Sequence, residues 1–289
     1  MKRVFIFRKV RDFGSVMNHS FDFIKAEYRR LGKALLIYVL PFFILTGILL
    51  VFVQTSMVRN MVSDLDSVQP EANFFSGFDW RKMSITYLLQ LLNFTVLSTV
   101  VFSFLNLYLK KGPGFEVTEL KTSFLKVGGK LLLANIVIAI MVLLASMFLL
   151  IPGIYLGVVF SLVAPILVFE DAGLGQALNR SFEIIKDNWW KTFGIIFVGA
   201  VIVYIFSIIL SIPLIIAVAA KSFHVMANQT QAQILSPGYL IASTIISMIQ
   251  TFAYSLVIIF ISIQYFSLVE EKERPTLQAK IDRLTEENV

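Results

Sequence analysis

The sequence predicts an all-α fold: a polytopic membrane helix bundle with six transmembrane helices and three cytoplasmic interfacial amphipathic helices, in three parallel internal repeats. Three observations predict it. The 289 residues are 57% hydrophobic and 15% charged, with mean hydropathy +0.79, whereas a soluble domain is about half apolar and roughly a quarter charged. Six apolar runs are each long enough for a bilayer core, which needs about 20 residues of helix. A pattern near the N-terminus returns in the second half of the chain, as repeat architectures require. This composition excludes a disordered chain, a collagen-like chain and an ordinary soluble enzyme.

The spans are expected near 34–57, 84–109, 131–151, 153–169, 193–220 and 237–268. Pro41 and Pro213 fall inside the first and fifth and should kink them. The apolar run begins only at Ala34 and continues well past signal-peptide length, so helix one is expected to stay in the mature protein. Ile151-Pro152-Gly153 reads as a tight turn joining spans three and four. Residues 58–83 form a longer external segment with Asp64, Asp66, Glu71 and Asp79 beside Phe74, Phe75, Phe78 and Trp80, aromatics suited to the membrane interface.

Lys and Arg set the orientation. Residues 1–33 hold nine, the 110–130 loop five, the 170–192 loop three and the tail four, so 21 of 25 fall on one side. The asymmetry predicts both termini in the cytoplasm. It accounts for the net charge of +6 through an anionic leaflet and without nucleic acid.

Residues 14–25 read GSVMNHSFDFIK and 175–186 read GQALNRSFEIIK, identical at six of twelve positions. Apolar spacing gives each an amphipathic helix: Met17, Phe21, Ile24 and Tyr28 in the first, Leu178, Phe182, Ile185 and Trp189 in the second. Leu120, Phe124, Val127 and Leu131 repeat the spacing more weakly. The repeat units are expected at about 14–109, 116–170 and 175–268 of one integral membrane domain covering 1–289. Each is an amphipathic helix followed by two spans. The helices should lie flat, apolar side toward the acyl boundary. Phe21, Ile24, Tyr28, Phe182, Ile185, Trp189 and Trp190 are the expected membrane-interface residues; Lys25, Arg29, Arg30, Lys186 and Lys191 would meet lipid phosphates.

No ionisable residue sits mid-span on these boundaries, which counts against an ion-coupled transporter or pump. Polar residues do: Gln90, Asn93, Thr95, Thr99, Ser103 and Asn106 in span two, Ser243, Ser247, Thr251 and Ser255 with Gln250 and Gln264 in span six, and Asn135 in span three. They read either as helix-packing contacts or as the lining of a cavity between spans two and six, with Asn93, Thr99, Ser103, Ser247 and Thr251 as its residues. The tail, 270–289, can start a helix at Pro275, with Leu277, Ile281 and Leu284 on one face, docked on the body or on a partner.

Without cysteine there are no disulfides or thiolate sites, and His19 and His224 fall on opposite sides of the expected topology, so no metal or cofactor is predicted. The chain carries no P-loop, dinucleotide-type glycine turn, HExxH or GxSxG. Glu170 and Asp171 are read as ending a span rather than as an acid–base pair. No enzyme activity is expected.

Ile151-Pro152-Gly153-Ile154-Tyr155-Leu156, then Pro165, Glu170, Gly173, Ala177-Leu178, Ser181 and Asn188-Trp189, carry a family resemblance. This stretch resembles the membrane domain found in front of some glycerophosphodiester phosphodiesterases, and its free-standing bacterial six-span relatives. The resemblance implies a bacterial plasma (inner) membrane protein. It does not imply the hydrolase, a separate soluble barrel; only about 20 residues follow span six here. Some relatives have a basic residue in the fourth span where Val159-Phe160 stand, so no role for such a charge carries over.

The leading expectation is a non-enzymatic protein that organises the cytoplasmic leaflet or scaffolds a membrane complex. Its partners would be membrane lipids of the anionic cytoplasmic leaflet and a membrane protein of unknown identity. The alternative is a transporter or flippase-like carrier of a lipid or other amphiphile.

Overall fold

The structure is a computed structural model describing residues 5–66, 79–228, 236–275 and 277–278. The expected roles of Glu71, Phe74, Phe75 and Phe78, and of the tail beyond 278, lie outside the described residues, as do the side chains of 58–66 and of His224. The helices in chain order are α1 (Phe13–Tyr38), α2 (Leu40–Asp66), α3 (Trp80–Lys111), α4 (Leu120–Phe148), α5 (Leu150–Phe160), α6 (Val163–Phe169), α7 (Leu174–Ile185), α8 (Trp189–Asn228) and α9 (Pro237–Glu273). No strand occurs among the described residues. Among the described residues six segments are long and apolar enough to cross a membrane: Leu40–Met57, Trp80–Gly114, Val117–Met147, Leu150–Phe169, Trp189–Lys221 and Gly238–Glu273.

Helix boundaries follow from local chemistry. Asp12 caps α1 by accepting from the Ser15 N–H at 3.1 Å. Pro41 has no N–H for the Ile37 carbonyl, and the helix is interrupted at Val39. Residues 34–38 therefore finish α1, and the first span begins at Leu40 rather than at 34. Asp79 caps α3, and Gly112 ends it with φ +68, a conformation that costs glycine little.

Three expectations change. The turn between spans three and four is not at Pro152-Gly153. It is the single extended residue Leu149, and Pro152 sits in the first turn of α5, where its missing N–H costs nothing. Gly153 serves close approach instead, because a Cβ there would lie 2.0 Å from Ser146 Oγ and 3.1 Å from Ser146 Cα. Span four is broken into α5 and α6 at Ser161-Leu162, since Pro165 cannot donate to the Ser161 carbonyl. The middle amphipathic segment is no separate helix: α4 runs unbroken from Leu120 into its span.

Spans two and four form the interior, with 61% and 56% of their most apolar stretch buried, against 17–22% for the other four. The rest expose large apolar side chains such as Ile48, Phe52, Leu143 and Ile209, as a lipid-facing surface should. Burial is concentrated at the basic end, where an aromatic cluster joins Phe7, Phe23, Tyr108 and Phe266 with ring centroids 5.3–5.8 Å apart. The segment before α1 threads into it, with Phe7 buried and Ile6 exposed.

Candidate functional site at the basic end

The two copies of the twelve-residue pattern bury the same positions. Val16 and Ala177, Ser20 and Ser181, and Phe23 and Ile184 correspond in the alignment, and all six are buried. Each serine satisfies its hydroxyl within its own helix, Ser20 on the Val16 carbonyl at 2.7 Å and Ser181 on the Leu178 carbonyl at 2.6 Å. The deepest face is thus one residue away from the apolar stripe chosen by spacing. Spacing missed it because it carries polar Ser20 and Glu27 among the apolar residues.

This shift redistributes the expected interface residues. Phe21 packs on Phe260 at 5.5 Å, Ile24 lies against the core, and Ile185 is 2% exposed. Trp189 stacks between Tyr155 and Phe193 at 5.7 and 5.2 Å and donates its indole N–H to the Tyr155 carbonyl at 3.3 Å. Three aromatics face outward: Tyr28, Phe182 and Trp190, the last 78% exposed.

The expected phosphate-binding cations divide likewise. Lys25 and Lys186 are exposed and have no ion-pair partner among the described residues. Arg29 is exposed and, among the described residues, donates only to Tyr28 Oη, at 2.8 Å. Arg30 is instead a structural tie. It donates to Glu27 at 2.9 Å and to the Phe115 carbonyl, and its guanidinium lies 4.3 Å from the Phe115 ring centroid. Lys191 faces Glu271 at 3.7 Å.

Two ionic clusters at the end of span four were not foreseen in detail. Glu170 pairs with Arg180 of α7 and accepts from Tyr265 Oη of α9 at 2.6 Å, while Arg180 also donates to Glu273 at 2.7 Å. Burial alone would lower the Arg180 guanidinium, but Glu170 and Glu273 hold it above its ordinary value. Asp171, in the left-handed region at φ 53, accepts from Lys130 at 2.5 Å and Lys126 at 3.2 Å. These hydrogen bonds hold its carboxyl below the usual carboxylate range. Beside it a cavity of about 140 Å³ is lined by Asn106, Lys110, Ser123, Lys126, Lys130 and Asp171, with an apolar wall of Val127, Leu167, Val168 and Phe169. Of these, Asn106 carried a sequence signal as a member of the polar pattern, Val127 as a member of the weak repeat and Asp171 as one of the two acids ending span four.

Arg11 is buried and has no ion-pair partner among the described residues. Its guanidinium donates to the carbonyls of Phe7 at 2.6 Å, Lys9 at 3.1 Å and Ile6, and burial lowers it from its ordinary value. Its backbone N–H donates to Ser267 Oγ at 2.9 Å, tying the N-terminal segment to α9.

The intramembrane polar residues form bonds between helices. Thr46 donates to Asn93 at 2.8 Å, Asn135 to Thr95 at 2.9 Å, and Gln250 to Ser211 at 3.1 Å. Thr99 and Ser103 are buried; Thr99 donates to the Thr95 carbonyl, Ser247 to the Thr244 carbonyl, and Thr251 to the Ser247 carbonyl. A cavity of about 520 Å³ does adjoin Ser243 and Gln250, but its other wall is Ser211, Leu214 and Val218 of α8, not α3. Among the described residues no group of three His, Asp or Glu is placed to hold a metal ion.

Fold and hydropathy together define a helical multi-pass membrane protein. Comparison with protein-family models, curated proteins and solved structures found no match to this chain.

Proposed function

We propose that the chain is a non-enzymatic membrane protein that organises the anionic cytoplasmic leaflet, alone or as the scaffold of a membrane complex. The observation that carries this reading is the outward set at the basic end. Tyr28 with Lys25 and Arg29 on α1, and Phe182, Lys186 and Trp190 around α7, pair exposed aromatics with cations that have no ion-pair partner among the described residues. Aromatic rings suit headgroup depth, and each surface Lys or Arg is worth about 1 kcal/mol against an anionic leaflet. The shared buried register of α1 and α7 supports reading them as equivalent interfacial elements of a repeat. In this reading both termini are cytoplasmic, supported by the side on which Lys and Arg are concentrated. The bacterial plasma-membrane assignment rests on the resemblance of 151–194 to the phosphodiesterase-associated membrane domains.

The test is lipid enrichment around the full chain in nanodiscs of mixed phosphatidylcholine and phosphatidylglycerol. The wild type should enrich the anionic lipid. Phe182→Ser, Trp190→Ser and Lys186→Gln combined should lower that enrichment without changing the unfolding temperature; equal enrichment in both proteins would sink the reading. A second reading, a carrier of amphiphiles, is favoured by the cavity between α8 and α9. It would require flip-flop in proteoliposomes that Ser243→Leu abolishes.

A further inference from the structure

We infer that the small cavity between α3, α4 and the end of α6 is a binding site for a dianionic phosphate group, a phosphate monoester or free phosphate. The inference deepens the leaflet reading and rests on it only in supposing that the phosphate is met at the membrane surface.

The charge count is the first argument. Lys110, Lys126 and Lys130 line the cavity with Asp171 as its one acid, leaving two positive charges. A phosphate monoester carries about −1.5 to −2 at neutral pH, whereas the phosphodiester of an ordinary lipid carries about −1. The monoester is the better match.

Uncommitted donors are the second argument. Lys110 has no ion-pair partner among the described residues; its neighbour Lys111 takes Glu119 instead. Each ammonium has three donors, and Asp171 uses one each on Lys126 and Lys130. The Asn106 amide and Ser123 hydroxyl have no hydrogen-bond partner among the described residues, yet both line the cavity.

Size and shape are the third. About 140 Å³ holds several waters or one phosphate group, and is too small for a nucleoside as well. Lysines act on phosphate as point charges, while planar carboxylates favour the arginine fork, and no arginine lines this cavity. The wall of Leu167, Val168 and Phe169 belongs to span four, so the phosphate would sit at the membrane-facing base of the basic end. Asp171 occupies the lysines when the phosphate is away and competes with it.

The experiment uses the full chain in two arms. Inorganic phosphate is titrated in detergent by calorimetry, and phosphatidic acid is compared with phosphatidylglycerol in phosphatidylcholine nanodiscs by native mass spectrometry. Saturable phosphate binding, or retention of phosphatidic acid over phosphatidylglycerol, supports the site and tells the soluble source from the lipid source. Lys110→Gln with Lys130→Gln should weaken the binding about tenfold. Lys110→Gln alone, which breaks no ion pair among the described residues, should weaken it measurably, and Asp171→Asn should tighten it. Binding of neither ligand above phosphatidylglycerol, or binding unchanged in the double variant, would overturn the site. Its failure is distinct from failure of the leaflet reading, because phosphatidylglycerol enrichment depends on Phe182, Lys186 and Trp190 and should persist in the Lys110 variants.

Discussion

Tyr265 donates its hydroxyl to Glu170 at 2.6 Å, and so joins α9 to the end of the fourth span 95 residues away in sequence. The tyrosine is 2% exposed, and Glu170 is also paired with Arg180. Three helices, α6, α7 and α9, thus meet at one carboxylate.

Tyr265→Phe removes this bond while keeping the ring that stacks on Phe169. A hydrogen bond to a charged group is worth about 1.5–3 kcal/mol. The unfolding temperature in detergent should fall accordingly, and an unchanged temperature would show that the bond contributes nothing.

Asp171 makes stability depend on acid. Its folded pKa is depressed by the Lys130 and Lys126 hydrogen bonds, so its contribution is present above the unfolded value, about 3.9, and disappears as pH falls through the folded value. The difference in unfolding temperature between wild type and Asp171→Asn should be constant near neutral pH and close at strongly acid pH. A difference that grew on acidification would contradict the assignment.

Arg30 and Lys25 should part company. Arg30→Ala leaves Glu27, whose side chain is 5% exposed, without its ion-pair partner, a change that costs about 3–5 kcal/mol in buried pairs. Lys25→Ala removes an exposed cation and should leave chemical-denaturation midpoints within error. Equal effects would mean that Arg30 is a surface charge after all.

Two glycines should respond oppositely to alanine. At Gly153 the new methyl meets Ser146, whose Oγ can rotate but whose Cα, at 3.1 Å, is backbone; overpacking of this kind costs about 1–3 kcal/mol. At Gly14 nothing lies within 4 Å, and alanine in a helix gains up to about 1 kcal/mol. Thermal unfolding of the two variants decides it: destabilisation at position 14 and none at 153 would refute both assignments.

Much of the fold was legible in the sequence. Apolar run length located the six spans because a bilayer core demands about 20 residues of helix whatever the neighbours do. The Asn-x-Ser-Phe pattern marked α1 and α7 because the same buried serine and apolar neighbours recur in both. What spacing could not assign was which of two adjacent faces goes inward. Phe21 and Phe23 are equally apolar, and only the packing of Phe5, Phe7 and Tyr108 around Phe23 decides between them.

The sequence by itself determined the class of protein, the number of spans and the basic end, since these follow from composition and from properties summed over windows of residues. The tertiary structure alone decided that Arg30 is tied to the Phe115 carbonyl while Lys25 has no ion-pair partner among the described residues, that Leu149 makes the hairpin, and that Lys110, Lys126 and Lys130 converge on one cavity. The Phe115 tie and the cavity join residues tens of positions apart in the chain, and the hairpin turns on the backbone angles of one residue; local residue patterns encode neither.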